Sequence, residues 1–124
     1  VPKTQPLALV LEDNEFVSVS TEVQLEDLGF RTLAAASAEA ALEHLRKDRT
    51  IDLFVADLTL GEDRVAGLVV ALEAVTIQPD LAVIYMSGRS PTDEERKSFV
   101  KRSSFLSKPF TARQLKASVA AVLA

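Results

Sequence analysis

A chain of 124 residues with 48% apolar side chains can build one ordinary core and has no room for a second, so residues 1–124 read as a single domain. The absence of cysteine excludes disulfides, thiolate chemistry and Cys-based zinc sites; no apolar run reaches membrane-spanning length, and residues 1–6 lack the regions of a signal peptide, so a soluble, cytoplasmic protein is expected. The net charge of −4 divides into 13 acidic and 5 basic side chains over residues 1–63 against 5 and 9 over residues 64–124; this gives no global pull toward nucleic acid, and taken alone describes two solvated faces of unlike sign.

Residues 7–11 form a continuous apolar run that ends in Glu12-Asp13-Asn14, the pattern of a strand covered on both faces. Asp13 or Asn14 can cap the helix that follows, in which Phe16, Val19 and Val23 recur at helical spacing before Gly29 ends it. Residues 31–35 form a weaker strand suited to a sheet edge. Ser37 caps a second helix with an inward stripe of Ala38, Ala41, Leu42 and Leu45. Residues 51–56 read as a buried strand that delivers Asp57. A loop from Gly61 to Gly67 then leads to a helix carrying Leu68, Ala71, Leu72 and Val75, stopped by Pro79.

The fourth strand, residues 81–86, hands over to Ser87-Gly88-Arg89. In Ser90-Pro91-Thr92-Asp93 an N-cap, a proline at the first helical position and an acid at the third start a short polar helix. Only Phe99 and Val100 are available to anchor it, so it should be loosely held. Residues 104–107 form a short fifth strand leading to Lys108-Pro109-Phe110. Thr111 and Gln114 make a capping box for the last helix, with Leu115, Val119, Val122 and Leu123 inward. Five alternations with short connections predict a parallel sheet with helices on both faces.

In open sheets of this kind ligands bind beyond the carboxyl ends of the strands. Glu12, Asp13, Asp57, Ser87 and Lys108 all fall there. Three carboxylates in one pocket repel one another unless a hard divalent cation joins them; Mg²⁺ is the natural choice, with Mn²⁺ as a substitute. Asp57 then becomes a nucleophile toward phosphorus, Lys108 neutralises phosphoryl oxygens and the Ser87 hydroxyl donates to one of them. As isolated residues, Asp13 reads more simply as an N-cap, Ser87 as a turn residue and Lys108 as a solvated charge; it is their joint placement that argues for a site.

Glu12-Asp13-Asn14 after Leu-Val-Leu, Val-Ala-Asp57-Leu, Ile-Tyr-Met-Ser87-Gly88 and Phe105-Leu-Ser-Lys108-Pro109-Phe110, in this order and at these separations, resemble the receiver domain of bacterial two-component response regulators over nearly the full chain. The resemblance implies a flavodoxin-like three-layer α/β sandwich, with a five-stranded sheet of order 2-1-3-4-5 and five helices. It implies that Asp57 accepts a phosphoryl group from a phosphohistidine of a histidine kinase or phosphotransfer protein. Mg²⁺ would lie on Asp13, Asp57 and the Thr59 backbone carbonyl, with Glu12 acting through water. Lys108 and Ser87 would assist, Ser87 and Phe105 would form the switch pair, and the Lys108–Pro109 bond would be cis.

Output would pass through the surface of the fourth helix, fifth strand and last helix, which carries Arg96, Lys97, Lys101, Arg102, Arg113 and Lys116. The partners implied are the phosphodonor, a downstream protein or linked effector domain and a second copy on phosphorylation, without direct nucleic-acid contact or membrane insertion. Such a protein is chiefly a regulatory phosphoacceptor that promotes its own phosphorylation and slow dephosphorylation. The sequence departs from the family pattern in having Glu at position 12, Ser at 87 and a hydroxyl-free Phe at 105. It also has Gly61 where Pro is common, and Gly67 arrives late, which implies an enlarged loop after Asp57.

The alternatives are a Mg²⁺-dependent aspartyl-phosphate phosphohydrolase and a receiver that binds partners without being phosphorylated. Against the first, Asp57-Leu58-Thr59 lacks a second Asp to act as general acid; against the second, every key group is present. No glycine-rich nucleotide-binding motif occurs. His44, between Glu43 and Leu45 on the outer face of a helix, reads as solvated.

Overall fold

A computed structural model describes residues 5–124. The expectation that the chain starts without a leader falls largely on residues 1–4, outside the described residues. Strands and helices alternate as β1 (Leu7–Leu11), α1 (Glu15–Asp27), β2 (Arg31–Ala35), α2 (Ala38–Lys47), β3 (Ile51–Asp57), α3 (Ala66–Ile77), β4 (Ala82–Ser87), α4 (Asp93–Lys97), β5 (Ser103–Ser107) and α5 (Ala112–Leu123). The strands form one parallel sheet of order β2-β1-β3-β4-β5, the flavodoxin-like order the resemblance implied. No helix among the described residues is long and apolar enough to cross a membrane.

Two apolar layers flank the sheet because side chains alternate across each strand. Leu7, Leu9 and Leu11 of β1 pack with residues of α2 and α3, while Ala8 and Val10 meet Leu25 of α1 and Leu115, Val119 and Val122 of α5. β1, β3 and β4 are buried on both faces, apart from the exposed Asp52 near the start of β3, hence their long apolar runs. Register places the polar ends together. Leu11 pairs with Ala56, so Glu12 lies beside Asp57; Asp57 pairs with Met86, so Ser87 comes next. Ser87 in turn pairs with Ser107, and the Lys108 amide donates to the Ser87 carbonyl at 2.8 Å.

Three helices differ from their sequence-based expectation. In α1 the stripe of Phe16, Val19 and Val23 faces solvent, Phe16 being 89% exposed, and the buried stripe is Ser18, Thr21 and Leu25. Thr21 tolerates burial because its hydroxyl donates to the Val17 carbonyl at 2.7 Å, which satisfies it within the helix. In α3 the helix starts at Ala66, so Gly67 belongs to its first turn and not to the end of the loop. Leu72 is exposed, and the face on the sheet is made of Gly67, Ala71 and Ala74 with Leu68 and Val70.

In α4 the N-cap is Thr92, not Ser90: Thr92 Oγ1 accepts from the Glu95 amide at 3.1 Å and Glu95 Oε1 from the Thr92 amide at 2.8 Å. This helix has only five residues and buries none of them. Phe99 lies beyond it and stacks on Tyr85 at 4.2 Å between ring centroids. The other caps follow expectation: Asn14 Oδ1 caps α1, Ser37 caps α2, and Thr111 with Gln114 forms the capping box of α5.

Candidate functional site

The carboxyl ends of β1, β3, β4 and β5 surround an open cavity of about 380 Å³ lined by Asp13, Asp57, Thr59, Gly61, Ser87, Gly88, Arg89 and Lys108. Lys108 reaches across it from the end of β5. Its Nζ donates to Asp57 Oδ2 and to Glu12 Oε1, both at 2.7 Å. Asp57 and Glu12 are buried, whereas Asp13 is exposed at the rim. The second Asp57 oxygen accepts from the Thr59 amide at 3.0 Å, and Asp13 Oδ2 accepts from the Gly61 amide at 2.8 Å. That last bond ties the loop after β3 to the end of β1. Gly61 takes a positive φ of 58° to present its amide.

Electrostatics at the site follow from burial and from the one lysine. Burial raises the pKa of Glu12 above its ordinary value, with the Lys108 and Asn14 contacts acting in the opposite sense. Burial also pulls on the Lys108 ammonium, but its hydrogen bonds to Asp57 and Glu12 outweigh this and raise it. Asp13 is held below the ordinary carboxylate range mainly by the Gly61 amide.

The donor set suits a hard divalent cation. Glu12, Asp13 and Asp57 each bring a carboxylate oxygen within 4.8 Å of the others, and oxygen is the ligand that Mg²⁺ and Ca²⁺ prefer. Lys108 alone leaves these three negative charges under-compensated. Glu12 already uses both oxygens, one on Lys108 and one on the Asn14 amide at 3.1 Å, which fits it for contact through water.

Ser87 is buried, and its Oγ accepts from the Arg89 amide at 3.1 Å, leaving its hydroxyl hydrogen free to donate into the cavity. Phe105 is half-buried; its ring stacks with Phe99 at 6.4 Å, and the Arg96 guanidinium lies 5.7 Å from its centroid. A row of Tyr85, Phe99 and Phe105 thus runs from the core toward the surface. The Tyr85 hydroxyl, deep in that row, accepts from the Val100 amide at 2.9 Å. The Lys108–Pro109 peptide is cis.

Of the five residues placed at the strand ends from sequence, Asp13, Asp57, Ser87 and Lys108 therefore line one cavity, and buried Glu12 joins them through its hydrogen bond from Lys108. Sequence reasoning missed Arg89, Glu95 and Tyr85. The Thr92-x-x-Glu95 spacing was a readable capping-box signal; nothing local marked Arg89 or Tyr85.

A prediction tests the Lys108 bridge. Removing one member of a buried ion pair costs about 3–5 kcal/mol because the other charge is stranded. Lys108 keeps 21% side-chain exposure, so the lower end applies, and Lys108→Met should lose about 3 kcal/mol in metal-free urea denaturation. Divalent cation should return part of this loss.

Comparison with known proteins bears on the same residues. Residues 8–120 match the response regulator receiver domain. The chain belongs to that family. Among solved structures this receiver domain is similar to a response regulator receiver protein from Sinorhizobium medicae WSM419, with 31% identity, a TM-score of 0.83, and 96% of this chain and 94% of that one covered. It shares its fold with chemotaxis protein CheY4 of Vibrio cholerae, at 18% identity and a TM-score of 0.85, covering 96% and 99%. It also shares it with a Burkholderia pseudomallei response regulator solved with a phosphorylated aspartic acid, calcium ion and citrate, at 23% identity and a TM-score of 0.79, covering 91% and 65%. A comparison with curated proteins returned no match.

Proposed function

We propose that this receiver domain is a cytoplasmic, phosphorylation-controlled switch in which Asp57 accepts a phosphoryl group from the phosphohistidine of a histidine kinase or phosphotransfer protein. The observation that carries the reading is Lys108 bridging Asp57 and Glu12 in a cavity that Asp13 and Ser87 also border. A carboxylate oxygen of Asp57 forms the new O–P bond as the N–P bond breaks, and the protonated donor ring leaves as neutral imidazole. Lys108 and the Ser87 hydroxyl stabilise the transferred oxygens.

Asp13, Asp57 and the Thr59 carbonyl would hold Mg²⁺ or Mn²⁺, with Glu12 reaching it through water; a bound cation supplies positive charge against the phosphoryl group. The phosphorylated aspartate and calcium of the Burkholderia pseudomallei regulator agree with this chemistry.

For output, Ser87 moves to the phosphoryl group and Phe105 follows into the space it leaves, shifting a pre-existing equilibrium at α4, β5 and α5. The exposed Arg96, Lys97, Lys101, Arg102, Arg113 and Lys116 suit an acidic face on a downstream protein, a linked effector or a second copy. Arg102 is pinned by the Val122 and Asp80 carbonyls and forms the fixed end of that surface.

The donor must lie over the mouth of the cavity. Next to it the exposed face of α1 and residues 108–110 form a groove of about 390 Å³ that includes Phe16, Val17, Pro109 and Phe110 and is continuous with the site through Lys108. Phe16→Ser should slow transfer from a phosphohistidine protein about tenfold, roughly the loss of one buried aromatic contact, and leave labelling by acetyl phosphate unchanged. Equal loss with both donors would place the defect in the site and not in docking.

The function itself is tested by incubating the protein with Mg²⁺ and acetyl phosphate. One base-labile phosphate per chain, mapped to Asp57 by mass spectrometry, is the expected result. Label on another residue would overturn the reading, and fast steady turnover of the donor would favour the phosphohydrolase.

A further inference from the structure

Besides Lys108, one other cation lines the cavity that holds Asp57, and its guanidinium is committed elsewhere. Arg89 makes a two-pronged pair with Glu95, Nη1 to Oε1 at 2.7 Å and Nη2 to Oε2 at 2.8 Å. Nη2 also donates to the Arg64 carbonyl at 2.8 Å, in the loop between β3 and α3. The Thr59 hydroxyl contacts that same carbonyl, while the Thr59 amide holds Asp57. Arg89 Nε is buried without a hydrogen-bond partner. Glu95 is meanwhile the third residue of α4 and half of its capping box. Since α4 buries no residue, the Arg89 pair is its tether to the phosphoacceptor loop.

Charge balance indicates when this pair should exchange, on the reading that Asp57 is the phosphoacceptor. With a divalent cation bound, the metal and Lys108 together balance Glu12, Asp13 and Asp57. Converting Asp57 to an acyl phosphate replaces one negative charge with about two and adds acceptor oxygens. The cavity is then one positive charge short. Arg89 is the cation at hand, and a phosphoryl group offers its planar fork the same two-pronged geometry that Glu95 does, with more charge.

We infer that Arg89 is a second phosphoryl-binding residue, held in reserve by Glu95 and released to phosphorylated Asp57, so that filling the site unties the start of α4. This differs from a movement of Ser87 and Phe105 in running through the loop side of the cavity, and it adjoins that movement because the Arg89 amide donates to Ser87 Oγ at 3.1 Å. It also gives the long loop after Asp57 a role, because the Arg64 carbonyl is one of the groups Arg89 leaves.

The test uses beryllium fluoride with Mg²⁺ as a tetrahedral phosphoryl analogue, reading its affinity and the amide hydrogen exchange of residues 93–97. Arg89→Gln should weaken analogue binding about tenfold, the scale of one charge-assisted hydrogen bond; Arg89→Lys, which keeps the charge and loses the fork, should fall between. Glu95→Gln should strengthen binding several-fold, and the double variant should match Arg89→Gln alone. In the wild type, analogue binding should speed exchange across residues 93–97. Unchanged affinity in Arg89→Gln, an equal effect of Glu95→Gln with and without Arg89, or unaltered exchange would each overturn the inference while leaving the phosphoacceptor intact. Failure of the wild type to bind the analogue, or undiminished binding in Asp57→Asn, would overturn both.

Discussion

Asp57→Asn is expected to abolish phosphate incorporation from Mg²⁺ and acetyl phosphate, by more than 10³-fold on the scale at which loss of a nucleophile is felt, while the protein stays folded. An amide oxygen is a poor nucleophile toward phosphorus, and no other carboxylate sits where Asp57 does: Glu12 has both oxygens engaged and Asp13 is tied to Gly61. The fold should survive because Asn keeps an acceptor for the Thr59 amide and Lys108 keeps Glu12 at 2.7 Å. Two unit charges at 4 Å interact by about 4 kcal/mol at an effective dielectric of 20. The substitution relieves repulsion from two carboxylates within 4.8 Å, about 7 kcal/mol on that scale, and forfeits attraction to the nearer Lys108 at 2.7 Å, about 6 kcal/mol, so the two nearly cancel. Metal-free stability should therefore change by no more than about 1 kcal/mol.

The metal is where the variant should differ. A ligand at a hundred times its dissociation constant stabilises by about 2.7 kcal/mol, and losing one of three carboxylates should remove most of that gain. Urea denaturation with and without Mg²⁺ separates the two effects. Retained labelling would show that Asp57 is not the acceptor, and retained Mg²⁺ stabilisation that it is not a ligand.

The residues legible from sequence were those whose position is set by the sheet alone. Glu12, Asp57 and Ser87 each follow or end an apolar run, and Lys108 follows the last strand, so recognising the strands was enough to bring them together. The helices were less legible because hydrophobicity and burial part company there. On α1, Phe16-Val19-Val23 and Ser18-Thr21-Leu25 have the same i, i+3, i+7 spacing, and the more polar set is the buried one. Thr21 pays its hydrogen-bond debt to Val17 inside the helix, which leaves the apolar stripe outside, beside the site. On α3 closeness of approach decided the face: Gly67, Ala71 and Ala74 go in because they are small, and Val69 and Leu72 go out despite being apolar. Arg89 was illegible for another reason. Its partners Glu95 and Arg64 are brought to it only by the fold.

That closeness makes Gly67 the most demanding position near the site outside the charged residues. A Cβ added there would overlap the Asp57 carbonyl oxygen and press on the Asp57 carbonyl carbon and Leu58 Cα, all backbone atoms of the strand end. Neither side can yield by a rotamer change. The Gly67 amide also donates to the Leu58 carbonyl at 3.0 Å, which holds the first turn of α3 against β3. Alanine would gain about 1 kcal/mol in helix propensity. Against this, forced overpacking costs about 1–3 kcal/mol, and here the obstacle is main chain, so the upper end applies.

Gly67→Ala should therefore lose about 2 kcal/mol net in urea denaturation. Because what it displaces is the Asp57 main chain, labelling by acetyl phosphate should fall at least tenfold in the fraction that remains folded. Two other glycines calibrate the result. Gly88 has open space around it, and Gly88→Ala should be near neutral in stability. Gly61 also has open space but a φ of 58°, so Gly61→Ala should cost about 1 kcal/mol from backbone strain alone. A Gly67→Ala protein as stable and as readily labelled as Gly88→Ala would mean that α3 can retreat freely, and that its contact with the strand end does not hold Asp57 in place.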